Sequence, residues 1–324
     1  MPQYSCINLN NQITFYPNAI DSCCSGFSSP RFYNFVNKKI DYDNLLDSKF
    51  KFVEDFKNGK TLPSCKNCPH LQEYDENLRF NKFTKILVSH FTACNCSCIY
   101  CVRDSYPFKK EKHSKQNYEL VPVIKEMYKR KLISEEQLDV EFQGGDIGCL
   151  KEFNNLVKIF SEKSNAHFRF FTNNIVYYDV IKNLLNENRA ELVVSLDCGT
   201  SETYKKIKRV DRFDKVIENL SKYVKFSKYS NILVKYILIK GVNDNFSELE
   251  SFLFLIKRIG LRCFCIEIDY NDYMELVPGN KTKIEVPKHY YDLVDFSLKY
   301  AVKLHMGGCV GTYSKQILDK GYFE

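Results

Sequence analysis

Two apolar periods alternate along most of this chain. Short β-rich runs stand at KILVSHF, LDVEFQG, FRFFTN, AELVVSLD, ILVKYILIKG and CFCIEID, and each predicts a strand. Between them, LVPVIKEMYKRK, LKEFNNLVKIFSEK, YDVIKNLLNEN, FDKVIENLSKYVKF and ELESFLFLIKRIG space apolar residues three and four apart, the period of an amphipathic helix. Strand–helix alternation argues for βαβ units and a parallel sheet. Six such units predict an α/β fold built as a partial, TIM-like (β/α)6 parallel barrel, with its ligand site at the carboxyl ends of the strands.

The first 80 residues read differently. They carry Cys6, Cys23, Cys24, Cys65 and Cys68, several turn signals and little sustained helical period. So short a segment has a meagre core, which suggests a small cysteine-rich module stapled by metal. The expected organisation is therefore a module over residues 1–80, a barrel over 81–275, and an extension over 276–324 that closes the barrel. There is no internal repeat or low-complexity segment.

Composition narrows the setting. Hydrophobic residues make up 44% and charged residues 27% of 324, enough apolar content for a real core. No apolar run approaches the roughly 18 residues that span a bilayer, and the first residues lack the pattern of a signal peptide. A cytoplasmic protein with no membrane partner is expected. The net charge of +7 hints at an anionic ligand but fits a solvated basic surface better. Even the densest run, Lys109, Lys110, Lys112 and Lys115, is not read as a nucleic-acid site. Fourteen cysteines in a reducing compartment point to metal ligation or thiol chemistry, not to disulfides.

The first expected strand runs into SHFTACNCSCIYC, where Cys94, Cys98 and Cys101 follow the pattern C-x3-C-x2-C. Three thiolates on one loop can hold three irons of a cubane and leave the fourth iron open, as chemistry at a metal requires. A zinc site that also recruits Cys96 is the competing reading. The pattern, with the aromatic Tyr100 before its last cysteine, resembles that of the radical S-adenosylmethionine (SAM) superfamily. That resemblance implies a 4Fe-4S cluster whose open iron binds SAM, an electron donor such as flavodoxin or ferredoxin, and a 5′-deoxyadenosyl radical as the reactive species.

Further segments match in order. Gly144-Gly145-Asp146 resembles the superfamily's Gly-Gly-Glu, which meets the SAM amino group, with Asp in place of Glu. Thr172 and Asn173 resemble the Thr-Asn that ends the third strand. Ser195-Leu196-Asp197 with SETYKKIKR resembles the S-x-D segment and the E-x-Y-x-x-I-(R/K) helix start. By that resemblance Ser195 lies near SAM and Asp197 faces the substrate. Ile239, Gly241 and Asp244 match the I-x-G-x-x-(E/D) segment that flanks the adenine. Tyr100, Gly144, Gly145, Asp146, Thr172, Asn173, Ser195, Ile239 and Gly241 are thus the expected cofactor-binding residues.

The amino-terminal cysteines resemble the auxiliary-cluster modules called SPASM or twitch domains, which usually follow the barrel. The resemblance implies a second 4Fe-4S cluster on Cys6, Cys23, Cys65 and Cys68, with Cys24 able to replace Cys23; a four-cysteine zinc site needs the same thiolates. Cys149, Cys198, Cys263, Cys265 and Cys309 form no ligand set, and each is first read as a small buried hydrophobe. Cys309 and Cys198 are the candidates to return a hydrogen atom in an epimerase, beside Asp197. Glu267 and Asp269 alternate on the last strand as candidates to bind a polar substrate. The expected function is hydrogen abstraction from an unidentified, polar small molecule or peptide, ending in oxidation or epimerisation. The alternative is a non-catalytic zinc or iron–sulfur scaffold for a protein or RNA partner.

Overall fold

A computed structural model describes residues 4–17, 19–22, 33–34, 40–60, 71–73, 81–101, 118–227, 231–261, 263–269, 292, 296 and 303–306. The chain divides into two units, residues 1–93 with 113–170 and residues 94–112 with 171–324. The fold is α/β with mostly parallel strands.

The first unit begins with β1 (Tyr4–Cys6), α1 (Ile7–Asn11), β2 (Gln12–Phe15), β3 (Ala19–Asp21) and β4 (Tyr33–Asn34). It continues through α2 (Tyr42–Lys57), β5 (Leu71–Glu73), β6 (Lys85–Val88), α3 (Leu120–Lys129), β7 (Leu138–Phe142), α4 (Phe153–Lys163) and all but the last two residues of β8 (Ala166–Thr172). Its sheet runs β8-β7-β6-β2-β3-β4, parallel from β8 to β2 and antiparallel from there on. Alternation along β7 and β8 sorts the side chains by face. Phe142 and Phe170 meet Phe153 of α4, at ring-centroid distances of 5.3 and 5.6 Å. On the other face Glu141 pairs with Lys85 at 2.9 Å.

The second unit contains α5 (Asp179–Asn186), β9 (Ala190–Ser195), α6 (Ser201–Lys208), α7 (Phe213–Phe226), β10 (Ile232–Leu238), α8 (Phe246–Ile259), β11 (Cys263–Ile268) and β12 (Lys303–Met306). Strands β9 to β12 are parallel neighbours in chain order. Helix α8 covers one face, with Phe252 against Tyr236 and Phe264. Side-chain caps start two of the helices. Thr200 accepts from Thr203 N ahead of α6, and Asn245 accepts from Glu248 N ahead of α8.

All six expected strands form, as β6 to β11, and the five expected helices form as α3, α4, α5, α7 and α8. The amino-terminal segment differs from its expectation. Instead of standing apart, β2 pairs in parallel with β6, and β3 and β4 extend the same sheet. It also holds a 16-residue helix, α2, where the sequence shows little helical period. The reason is Lys49, which occupies an inward position and is fully buried with Leu45 and Phe56. Its ammonium donates to Leu9 O at 2.5 Å and to Ser22 Oγ at 3.0 Å, and burial lowers its pKa to about 7. A charge at a core position breaks the apolar period, although the helix still forms, capped by Asp41 Oδ1 on the amides of Asp43 and Asn44. Among the described residues no helix is long and apolar enough to cross a membrane. Most of residues 276–324 lies outside the described residues.

Candidate functional site

Residues 94–101 belong to the second unit and follow an irregular path held by main-chain bonds. Ser97 N donates to Lys208 O at 3.1 Å and Ile99 N to Ile207 O at 3.0 Å. The last carbonyls of α6 have no partner within the helix, so this loop supplies donors to two of them. Cys101 N closes a turn on Cys98 O at 3.1 Å. Cys94, Cys98 and Cys101 form no disulfide, Cys94 being exposed and the other two half-buried.

Cys96 falls among them: its thiol hydrogen-bonds to those of Cys94 and Cys98, which pushes its own pKa far up. The same bond from Cys96 lowers Cys98 to about 6, against the opposing effect of burial and with help from the Lys208 ammonium. Among the described residues no three His, Cys, Asp or Glu side chains converge as for one metal ion. A cubane does not need such convergence, because each thiolate takes a different iron. Three cysteines in no disulfide on one anchored loop suit that donor set.

Behind the loop stands a polar group buried in the second unit. Asp197 and Lys208 are both fully buried and form an ion pair. Tyr100 OH donates to Asp197 Oδ2 at 2.6 Å and accepts from Lys208 Nζ at 2.7 Å. Lys208 also lies 5.0 Å from the centre of the Tyr100 ring, within cation–π range. Asp197 Oδ1 accepts from Ile237 N at 2.9 Å, and its carbonyl accepts from Asn243 Nδ2 at 2.8 Å. Burial alone would lower the Lys208 ammonium, but the adjacent Asp197 carboxylate raises it above its ordinary value. Asp197 adopts φ +65°, a left-handed conformation unusual outside glycine. Its carboxylate is therefore engaged inside the protein. Cys198, next to it, is fully buried too, donates to Leu196 O at 3.3 Å, and is pushed up by burial.

Asn173 reaches the cysteine loop directly. Its Nδ2 donates to Asn95 Oδ1 at 2.5 Å and lies 3.3 Å from Cys96 Sγ and 3.7 Å from Cys94 Sγ. Thr172 Oγ1 accepts from Asn174 N at 2.9 Å. Ser195 ends β9 half-buried, opposite Lys235 in register. Lys235 pairs with Glu267 at 2.7 Å on the sheet face away from α8. Ile239 N donates to Asn243 Oδ1 at 2.7 Å, and Gly241 N donates to Asp244 Oδ1 at 2.8 Å. Asp269 is buried at the end of β11, its amide on Leu238 O.

In the first unit, Gly144, Gly145 and Asp146 follow β7. Both glycines stand hard against the chain's own backbone. A Cβ on Gly145 would lie 2.0 Å from Ala93 O, and one on Gly144, whose φ is +102°, 2.8 Å from Phe91 O. Gly145 N and Asp146 N donate to those two carbonyls, Phe91 O and Ala93 O, at 3.0 and 2.9 Å. Asp146 is buried, and its Oδ1 accepts from Gly148 N at 2.9 Å.

Cys6 ends β1, half-buried. Cys23, Cys24, Cys65, Cys68 and Cys309 lie outside the described residues. Three residues not singled out from sequence organise the second unit. Lys208 had one signal, its place at the R/K position of the helix-start pattern. Asn243 bonds Ile239 N, Asp197 O and Ile237 O, and Glu248 accepts from Gly199 N, Thr200 N and Thr203 Oγ1. Asp197 lies 46 residues from Asn243, and the partners of Glu248 lie 45 to 49 residues away, so no local pattern announces these links.

The sequence profile of the Radical SAM superfamily matches residues 88–255. The GTP 3′,8-cyclase of Clostridium botulinum (strain Okra / Type B1) is 27% identical over 204 residues, 62% of this chain and 59% of the cyclase. SuiB from Streptococcus suis matches with a TM-score of 0.53 when bound to precursor peptide SuiA and 0.52 when bound to S-adenosylmethionine. Both are 14% identical, covering 88% and 86% of this chain and 59% and 60% of SuiB. At that identity the likeness is one of fold. The matches span about three fifths of each relative's own length.

Proposed function

This chain belongs to the radical SAM superfamily, and from that premise we propose that it cleaves S-adenosylmethionine reductively to abstract a hydrogen atom from a polar substrate. The family implies a 4Fe-4S cluster and SAM, and favours an enzyme over a non-catalytic scaffold. When bound, the cluster supplies the electron that splits the sulfonium of SAM into methionine and a 5′-deoxyadenosyl radical. Cys94, Cys98 and Cys101 hold that cluster in this reading. The observation that carries it is the loop itself: three cysteines in no disulfide, anchored through Ser97 and Ile99 to the end of α6, inside the stretch matched by the family.

The other roles follow. Asn173 orients the loop through Asn95, next to Cys94 and Cys96. Gly144, Gly145, Asp146, Thr172, Ser195, Ile239 and Gly241 serve the cosubstrate at the strand ends, and a flavodoxin or ferredoxin delivers the electron. The engaged carboxylate of Asp197 argues for support of the loop more than for contact with substrate. A polar substrate is favoured by the Lys235–Glu267 pair, one strand over from Ser195. Oxidation needs no further hydrogen donor. Epimerisation needs a returning thiol, and the enclosed position of Cys198 shifts that role to Cys309. A nucleotide substrate is the second reading, favoured by the 204-residue match to the clostridial cyclase.

A second, auxiliary cluster belongs to the same proposal, on Cys6, Cys65, Cys68 and either Cys23 or Cys24. Strand β1 supports it by pairing Cys6 with Leu71, three residues beyond Cys68.

The test is anaerobic reconstitution followed by dithionite and SAM, with 5′-deoxyadenosine as the product sought. Roughly seven to eight irons per chain support two cubanes, and about four remove the auxiliary one. Zinc without iron, or no deoxyadenosine, overturns the reading. GTP in the same reaction, with a search for a rearranged purine, separates the nucleotide reading from the others.

A further inference from the structure

The buried group behind the cysteine loop has no part in the reaction as set out above. Asp197 and Lys208 spend their charges on each other, yet a buried ion pair seldom repays its desolvation in stability alone. Its placement suggests another use. The hydroxyl of Tyr100 takes one hydrogen bond from Lys208, gives one to Asp197, and is also in hydrogen-bond contact with the Cys98 thiol. Tyr100 sits between Ile99, whose amide is fixed to Ile207 O, and Cys101. Lys208 is the last residue of α6, and its own carbonyl receives Ser97 N. The end of α6 thus holds the loop through its main chain, and the ion pair holds it through the Tyr100 side chain.

We propose that Tyr100, Asp197 and Lys208 are positioning residues that hold the cysteine loop to the end of α6 and, through the charges behind Cys98, set the reduction potential of the cluster bound there. The inference rests on the reading of Cys94, Cys98 and Cys101 as cluster ligands. A nearby cation favours adding an electron and a nearby anion opposes it, so the two partners act with opposite sign.

The experiment uses Lys208→Met, Asp197→Asn, the double variant of both, Tyr100→Phe, and Cys98→Ala as a control. In the metal-free chain, amide hydrogen exchange at Ser97 and Ile99 reports how firmly the loop is held; it should speed up at both in Tyr100→Phe, which removes only the hydroxyl. In the reconstituted chain, an EPR-monitored redox titration gives the midpoint potential. Lys208→Met should move it to more negative values, Asp197→Asn to more positive ones, and the double variant should return towards the parent. A purely structural role would move both single variants the same way. Shifts of like sign, or no shift with iron content intact, overturn the electrostatic part, and unchanged exchange in Tyr100→Phe overturns the holding part. Loss of iron from both single variants but not from the double also supports the proposal, since only an uncompensated charge distinguishes them; loss from all three overturns it. If Cys98→Ala retains parental iron, the ligand reading itself has failed, an outcome separate from all of these.

Discussion

Gly145 has no room for a methyl group. Its would-be Cβ meets the carbonyl of Ala93 at 2.0 Å, and main chain cannot swing aside as a long side chain can. Gly145→Ala should therefore cost about 1–3 kcal/mol, the usual penalty of overpacking, measured by urea unfolding of the metal-free chain. The sequence marks this glycine through its family resemblance, whereas the backbone of the same unit pressed against it is visible only in the fold. Asp197 carries a different liability. Asp197→Ala leaves Lys208 buried without its counter-charge, and a loss of about 3–5 kcal/mol is expected from the same measurement. Spacing finds Asp197 on the page, but its partners Tyr100 and Lys208 lie 97 and 11 residues away. Only folding reveals that its carboxylate faces them.

At the scale of elements, α3 shows how a remote residue can start a helix. No side chain caps it locally; instead Glu152 accepts from Leu120 N and Val121 N, both at 3.0 Å. Burial alone would raise this carboxyl, but His90, 3.4 Å from Oε2, and the two amides bring it below its usual 4.5. A depressed carboxyl pKa contributes stability above the unfolded-state value, and that contribution disappears as pH falls through the folded-state value. Glu152→Gln should thus lower Tm near neutral pH and matter progressively less below about pH 4, in melts recorded from pH 7 to 3. The loss at neutral pH should be about 1 kcal/mol, as for other caps. Elements with a clean apolar period were legible: β6 to β11 and the helices between them announce themselves. Helix α2 was not, because Lys49 sits where the period demands an apolar side chain and finds its partners at Leu9 and Ser22.

For the whole molecule, the proposed division of labour among cysteines gives the clearest contrast. Cys98→Ala should abolish 5′-deoxyadenosine formation and remove about four irons per chain, whereas Cys65→Ala should keep the SAM-binding cluster and lose only the auxiliary iron. Iron analysis and the deoxyadenosine assay read both; equal behaviour would count against separate roles. The strands that carry the motifs were readable because their apolar runs are short, β-rich and separated by helical periods. What escaped was the amino-terminal arrangement, whose cysteines are conspicuous while the pairing of its short strands is not. That pairing has a practical consequence. Gln12–Phe15 lies against Lys85–Val88, three of whose four residues are buried. A chain trimmed to start near residue 81 would leave that strand with unsatisfied amides and carbonyls along one side, an invitation to self-association. Gel filtration of the trimmed chain should show soluble aggregates where the parent runs as a discrete species.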